Sequence, residues 1–226
     1  DIEFQNFYNL NAKAAGSYFI NQNELYGSLC LAKNDYSRYG YNHTLYNYSK
    51  ADVIQHLQEL NLTAGFRNLA ENSLGVNYNP NIAVDFYASV DNLSERTINI
   101  NLPAELTINK QFSASAEIKA DLTRYSTKGY IPNNYFFNNN VVQILPLVKY
   151  NGDAFQLNAG IIPTWDNGRW SLLPNIYGEA FLPDKNFSVQ AGIVGALNKN
   201  TYRNLSLRNP YLLHNNTQLN TKETEI

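Results

Sequence analysis

The chain has one cysteine, no methionine, three histidines and few charges. A lone Cys30 excludes a disulfide framework and a cysteine-rich metal site. Charged residues make up 16% of the 226 positions, against about 25% in ordinary globular chains. The formal net charge is −2. A chain so close to neutral, with no basic run, is not built to neutralise phosphates, so nucleic acid is not an expected partner. No apolar run of about 18 residues occurs, which excludes a transmembrane helix. G-x-S-x-G, Walker-type, G-x-G-x-x-G and H-E-x-x-H motifs are all missing. His43, His56 and His214 stand far apart in sequence. His43 and His214 fall in expected loops, where solvated side chains are the plainer reading. No base is therefore expected beside a nucleophile, and no enzymatic activity, cofactor or metal site is expected. The chain opens at Asp1 with no basic-then-apolar leader, so any leader is expected to have been removed.

What the sequence has is asparagine, aromatics and a period of two. There are 35 Asn, 17 Tyr and 11 Phe. Over 74–90 the even positions run Leu74, Val76, Tyr78, Pro80, Ile82, Val84, Phe86, Ala88, Val90, while the odd ones include Asn77, Asn79, Asn81, Asp85 and Ser89. Ile98, Ile100, Leu102, Ala104, Leu106 and Ile108 alternate with Thr97, Asn99, Asn101, Pro103, Glu105 and Thr107. Phe112 to Leu122 repeats the pattern against Ser113, Ser115, Glu117, Lys119, Asp121 and Thr123. Successive strand side chains point to opposite faces, so each stretch is a strand with one apolar and one polar face. Ten such strands are expected, near 4–20, 24–39, 56–68, 73–91, 95–109, 112–125, 140–150, 154–165, 169–182 and 187–199.

Several of these exceed the usual five or six residues. Long alternating strands fit an antiparallel, up-and-down transmembrane β-barrel, whose crossings take about 9–11 tilted residues. The apolar faces are rich in Ala and Gly, for example Ala12, Ala14 and Gly16, or Ala114, Ala116 and Ala120. Such a face would leave voids in a close-packed soluble core, whereas lipid needs no matching surface. Aromatics of the apolar parity also gather at strand ends: Tyr18, Phe66, Phe112, Tyr150, Phe155 and Phe187 beside short turns, Trp165 and Trp170 at the opposite ends. This pattern suggests the interfacial girdles of outer-membrane barrels; the plainer alternative is that aromatics simply favour strands. Asp85, Glu105, Glu117, Lys119, Asp121 and Glu179 take the polar parity, with Arg67 and Lys149. They are expected to face the interior, as a hydrogen-bonded filling rather than a selectivity device. Cys30 shares that parity as an inert small residue.

The tight connections 21–23, 69–72, 109–111, 151–153 and 183–186 fall on one side of an up-and-down sheet. The loops 40–55 and 126–139 and the tail 200–226 fall on the other, expected to be external. The long loops carry Tyr36, Tyr39, Tyr41, Tyr46 and Tyr48, and Tyr125, Tyr130, Tyr135, Phe136 and Phe137. Residues 49–58 could form a short helical turn capped by Ser49. Both chain ends lie on the external side, and the tail shows no closing strand. The single domain 1–226 thus reads as part of a larger barrel, its edges at 4–20 and 187–199 pairing with strands outside this sequence; the alternative is that these two strands pair with each other and close a ten-stranded barrel.

Leu172-Leu173-Pro174-Asn175-Ile176-Tyr177-Gly178-Glu179-Ala180, then Gly192 to Leu205, then Asn209-Pro210-Tyr211-Leu212 resemble the barrel part of Bacteroidetes outer-membrane proteins of the TonB-dependent-receptor-like group. The resemblance spans about 45 residues and marks no catalytic position. It implies a bacterial outer-membrane barrel, with or without a plug; no plug domain or TonB-contact segment is visible in these residues. The expected function is a transporter or porin-like channel in contact with outer-membrane lipid. One alternative is a structural or accessory barrel subunit associated with other outer-membrane proteins. The other is a secreted, soluble glycan-binding β protein, which would purify without detergent.

Overall fold

A computed structural model describes residues 7–37, 44–89, 93–127, 135–181, 187–209 and 219–226. The chain is all-β and antiparallel. In chain order the elements are β1 (Phe7–Ile20), β2 (Asn23–Ser37), α1 (Lys50–Val53), β3 (Ile54–Asn68), β4 (Val76–Tyr78), β5 (Asn81–Ser89), β6 (Leu93–Thr107), β7 (Phe112–Thr127), β8 (Tyr135–Asn151), β9 (Phe155–Asp166), β10 (Arg169–Phe181), β11 (Ser188–Asn198), α2 (Tyr202–Arg208) and β12 (Thr221–Glu225). All strands join one sheet in chain order, with β4 beside β5 on β6. Among the described residues no helix is long and apolar enough to cross a membrane, which says nothing about strands.

The expected strand over 73–91 is divided. β4 pairs Val76 with Leu106, and β5 pairs Ile82 with Ile100, so one register runs through both. The break falls at Pro80, which has no N–H to give the ladder. Its carbonyl still accepts from Phe66 N–H at 3.0 Å. Between β8 and β9 the ladder opens beside Pro146 and Pro163 for the same reason.

Asparagine shapes the tight connections. Asn21, at φ +53°, turns β1 into β2, and Asn167-Gly168, at +48° and +89°, turns β9 into β10; two positive φ values match the twist of a two-residue hairpin. Asn72 Oδ1 accepts from Leu74 and Val76 N–H at 3.0 and 2.9 Å, and Asn109 Oδ1 from Gln111 and Phe112 N–H at 2.8 and 2.9 Å. Such amide acceptors mimic a backbone turn. Turns 21–22, 69–75, 108–111 and 152–154 lie at one end of the sheet; 183–186 lies outside the described residues.

The registers sort side chains onto two faces. On β6, Ile98, Leu102 and Leu106 are 40%, 44% and 40% exposed, while Glu95 and Thr97 are 3% and 8% exposed. The apolar parity therefore lies outward and the polar parity inward. The inner face is polar over β5–β7 and turns apolar over β8–β10, where Val141, Ile162 and Leu173 are buried. The main apolar cluster also lies on the inner side, at the long-connection end: Leu57, Tyr87, Leu93, Tyr125 and Tyr202.

Several expectations change. Tyr125, Tyr135, Phe136 and Phe137 belong to strands rather than to a loop, because β7 and β8 keep pairing out to Thr127 and Tyr135. The helical turn covers only Lys50–Val53, and β3 takes over at Ile54. Ser49 donates to Asp52 from both N–H and Oγ, at 2.8 and 2.7 Å, which holds the Asp52 carboxyl below the usual carboxylate range. The tail does hold a strand: β12 pairs with β11 from Val194–Glu225 to Asn198–Thr221. The 187–199 edge is thus partly covered from within the chain. Among the described residues β1 and β12 are not paired with each other, so the sheet is open. Tyr39, Tyr41, His43, Tyr130 and His214 lie outside the described residues.

Gly160 sits where a Cβ would lie 2.4 Å from the Pro146 carbonyl oxygen, while a Cβ on Gly16 meets nothing within 4 Å. Gly160→Val is expected to lower stability by about 1–3 kcal/mol in a urea titration, and Gly16→Val by less than about 0.5 kcal/mol.

Candidate functional site

The inner face is a chemically distinctive surface, and most of its polar groups are paired across neighbouring strands. Glu24 and Arg67 are direct partners of β2 and β3, bridged at 2.7 and 2.8 Å. Asp85 accepts from Asn61 at 2.6 Å and from Asn99 at 3.0 Å, spanning β3, β5 and β6. Thr97 and Thr123 face each other with hydroxyls 2.8 Å apart. Glu105 takes Lys149 at 2.9 Å and Ser113 at 3.2 Å. Glu117 pairs with Lys119 at 3.0 Å along β7. Each charge is compensated locally, as groups withdrawn from water must be.

All six residues assigned to the polar parity, Asp85, Glu105, Glu117, Lys119, Asp121 and Glu179, lie on this face by register. They do not converge. Glu179 stands apart toward the short-turn end, half-buried, accepting from Gln190 at 3.1 Å. Asp121 belongs to a different arrangement, made with the segment that follows β11.

That segment folds over the inner face at the long-connection end. Lys199 donates to the Asp121 carboxylate and carbonyl and, at 2.6 Å, to Thr123 Oγ1. Burial holds the Lys199 ammonium below the usual lysine range, with Asp121 pulling it back up. Thr201 Oγ1 accepts from Asn204 N–H at 3.1 Å and so starts α2. Tyr202 N–H donates to the buried Glu95 carboxylate at 2.8 Å. Its ring packs on Tyr87 and Tyr125, centroids 6.2 and 6.0 Å away. Arg203 pairs with Glu59 of β3, and Ser206 Oγ lies 2.8 Å from the Tyr87 hydroxyl. On the other side Asn139 Nδ2 donates to the Asn200 carbonyl at 2.8 Å, and Asn220 Nδ2 to Asp166 at 2.7 Å. Residues 199–209, with Asn220, thus lie folded inward against β3 and β5–β9 at the long-connection end.

Glu59, Glu95 and Asn139 were not singled out in the sequence, and Lys199, Tyr202 and Arg203 stand there only within the Gly192 to Leu205 stretch of the resemblance, with no role assigned. Glu59 and Glu95 lie among polar-parity positions, and Thr201 opening Tyr202-Arg203-Asn204-Leu205 is a legible helix start. Their partners, 61 to 144 residues away, are not legible.

The aromatics at the strand ends lie on the outer face. Phe112, Tyr150 and Phe155 form one row over β7–β9, with centroids 4.9 and 4.8 Å apart. Phe66 stacks at 5.8 Å on Tyr78, which had not been placed in a girdle. Tyr18 and Phe187 are exposed at the same end. Trp165 and Trp170 are direct partners at the opposite end. No known protein family and no curated protein matches this chain.

Tyr202 is 4% exposed and joins α2 to the inner face through both ring and backbone. Tyr202→Ala is expected to cost about 3–5 kcal/mol, the usual range for truncating a buried aromatic, read as a lowered unfolding midpoint.

Proposed function

We propose that this chain is wall and partial filling of a bacterial outer-membrane β-barrel, a transporter or porin-like channel of the TonB-dependent-receptor-like kind. The observation that carries this reading is the inverted distribution of polarity. Polar side chains are buried and bonded on the inner face, while Ile82, Ile98, Leu102, Leu106, Ile118, Ile144 and Val148 are exposed outside. Water gives no reason to keep such a surface exposed; hydrocarbon does.

The dimensions support it. The outer apolar run spans Ile98 to Leu106 on β6 and Phe112 to Leu122 on β7. At about 3.4 Å per residue these are about 27 and 34 Å along the strands. At a tilt of about 35–45° they project to about 19–28 Å, against an apolar band of about 25 Å in such barrels. The row Phe112, Tyr150, Phe155 bounds the band at the short-turn end. At the other end the outer face turns polar, at Lys33, Asp35, His56, Arg96, Arg124 and Asn138. The open edges at β1 and β12 are completed by further strands, from the same polypeptide or another chain, because unpaired backbone groups are not tolerated in lipid.

A second reading, an accessory barrel subunit without transport of its own, is favoured by one observation: Lys199 and α2 fill the inner face at the long-connection end. Stepwise conductance in planar bilayers supports the channel; inserted but silent protein supports the accessory subunit.

Membrane burial itself is tested by a folding titration into lipid vesicles. Ile100→Arg is expected to cost about 2–4 kcal/mol, the penalty for a cation facing mid-bilayer lipid. Asn101→Arg, on the inner face, is expected to cost much less. Equal costs would remove the membrane reading.

A further inference from the structure

Arg96 of β6 and Arg124 of β7 are direct cross-strand partners on the outer face, and both are exposed. Among the described residues neither is paired with a carboxylate; Arg124 lies over the Phe136 ring at 4.8 Å. Like charges directly opposite one another destabilise a sheet, unless an anion lies between them. Two residues toward the long-connection end, Ser94 and Ser126 form the next outer pair, hydroxyls 2.8 Å apart. Two residues the other way, the pair is Ile98 and Leu122, where the apolar band begins. Two guanidinium forks and two hydroxyls thus sit on the border of the apolar surface.

The surface beside them is shaped as well as apolar. Phe86, the β5 partner of Arg96, lines an open outer hollow of about 450 Å³ with Leu10, Leu31 and Leu60, and with Lys33 at its rim. Lys33 is already engaged by Asp35 at 3.1 Å, and Asp35 by His56 at 2.7 Å. The uncompensated charge therefore belongs to the arginine pair. Guanidinium groups match the oxygens of a phosphate in a fork geometry. A free anion would use the arginines and leave the adjoining hollow empty; an amphiphile uses both.

We propose that Arg96 and Arg124, with Ser94 and Ser126, hold the phosphate headgroup of a membrane lipid whose acyl chains lie along Ile98, Leu122 and the hollow beside Phe86. This assignment rests on the membrane reading above. It gives the two arginines a role that wall-building alone does not require, since a neutral pair would close the same ladder without repulsion.

The test uses the protein reconstituted in phosphatidylcholine vesicles containing phosphatidic acid as a minor component, with retained lipid measured by native mass spectrometry. The wild type is expected to retain phosphatidic acid over phosphatidylcholine by roughly tenfold or more, as anionic lipid near clustered basic residues should. Arg96→Gln with Arg124→Gln is expected to abolish that preference, and the double lysine variant to keep part of it. Lys110→Gln, at the short-turn end, is expected to leave it unchanged. Far-UV circular dichroism and vesicle flotation establish that each variant is folded and inserted. Flotation of the wild type without headgroup preference would overturn the lipid site alone. Failure to float even with pure phosphatidylcholine vesicles would overturn the membrane reading and the site with it. Loss of the preference in inorganic phosphate, but not in chloride of equal ionic strength, would mark a bare anion site and overturn the lipid assignment.

Discussion

The continuous antiparallel ladder is the constraint on which everything else depends. Backbone N–H and C=O groups must be paired wherever water is excluded, and the ladders from β1 to β12 supply those partners in one chain-ordered sheet. Once the registers are fixed, a side chain has no choice of face. A slip of one residue would exchange the Ile98–Leu106 set for the Thr97–Glu105 set. The sheet therefore enforces two consequences together: an apolar exposed surface, and an inner surface where Asp85, Glu95, Glu105 and Asp121 each require a nearby donor. The Asn61–Asp85–Asn99 bridge and the Glu105–Lys149 pair meet that requirement without a counter-ion from solvent.

The inward fold of residues 199–209 follows from the same logic at the long-connection end. Glu59, Glu95 and Asp121 project inward on strands that no other described segment covers. Arg203, Tyr202 N–H and Lys199 come from the one stretch that reaches them. The aromatic cluster around Tyr87, Tyr125 and Tyr202 seals it. On the proposed reading, a solute path through the inner space must either skirt this segment or displace it. A displacement would separate three charge-assisted contacts at once.

Strand existence and facing were legible because both depend only on local alternation. Ile98 to Ile108 and Phe112 to Leu122 carry that signal without a break. The interruption at Pro80 was visible as a residue but not as a break, since the parity continues through it. β12 was not legible: Thr221-Lys222-Glu223-Thr224-Glu225 has no apolar parity, and only the backbone edge of β11 recruits it. The inner apolar patch of Val141, Ile162 and Leu173 was missed because β8 is apolar on both parities through Val141, Val142, Ile144, Leu145 and Leu147. The filling segment was illegible for another reason. Its helix start is local, but its partners on β3, β5, β6 and β7 are brought near only by the curvature of the whole sheet.

On the proposed reading the exposed apolar face meets lipid. That contact is tested most directly by a nitroxide scan along β6, position by position from Ser94 to Thr107, in protein reconstituted into vesicles. Collision rates with oxygen, which partitions into hydrocarbon, are compared with those of a water-soluble nickel chelate. Oxygen maxima are expected at 98, 100, 102, 104 and 106, with nickel access returning at 94 and 96 and low oxygen exposure at the odd positions between. Nickel access at 98 to 106 equal to that at 94 and 96 would place this face in water and rule out its contact with lipid.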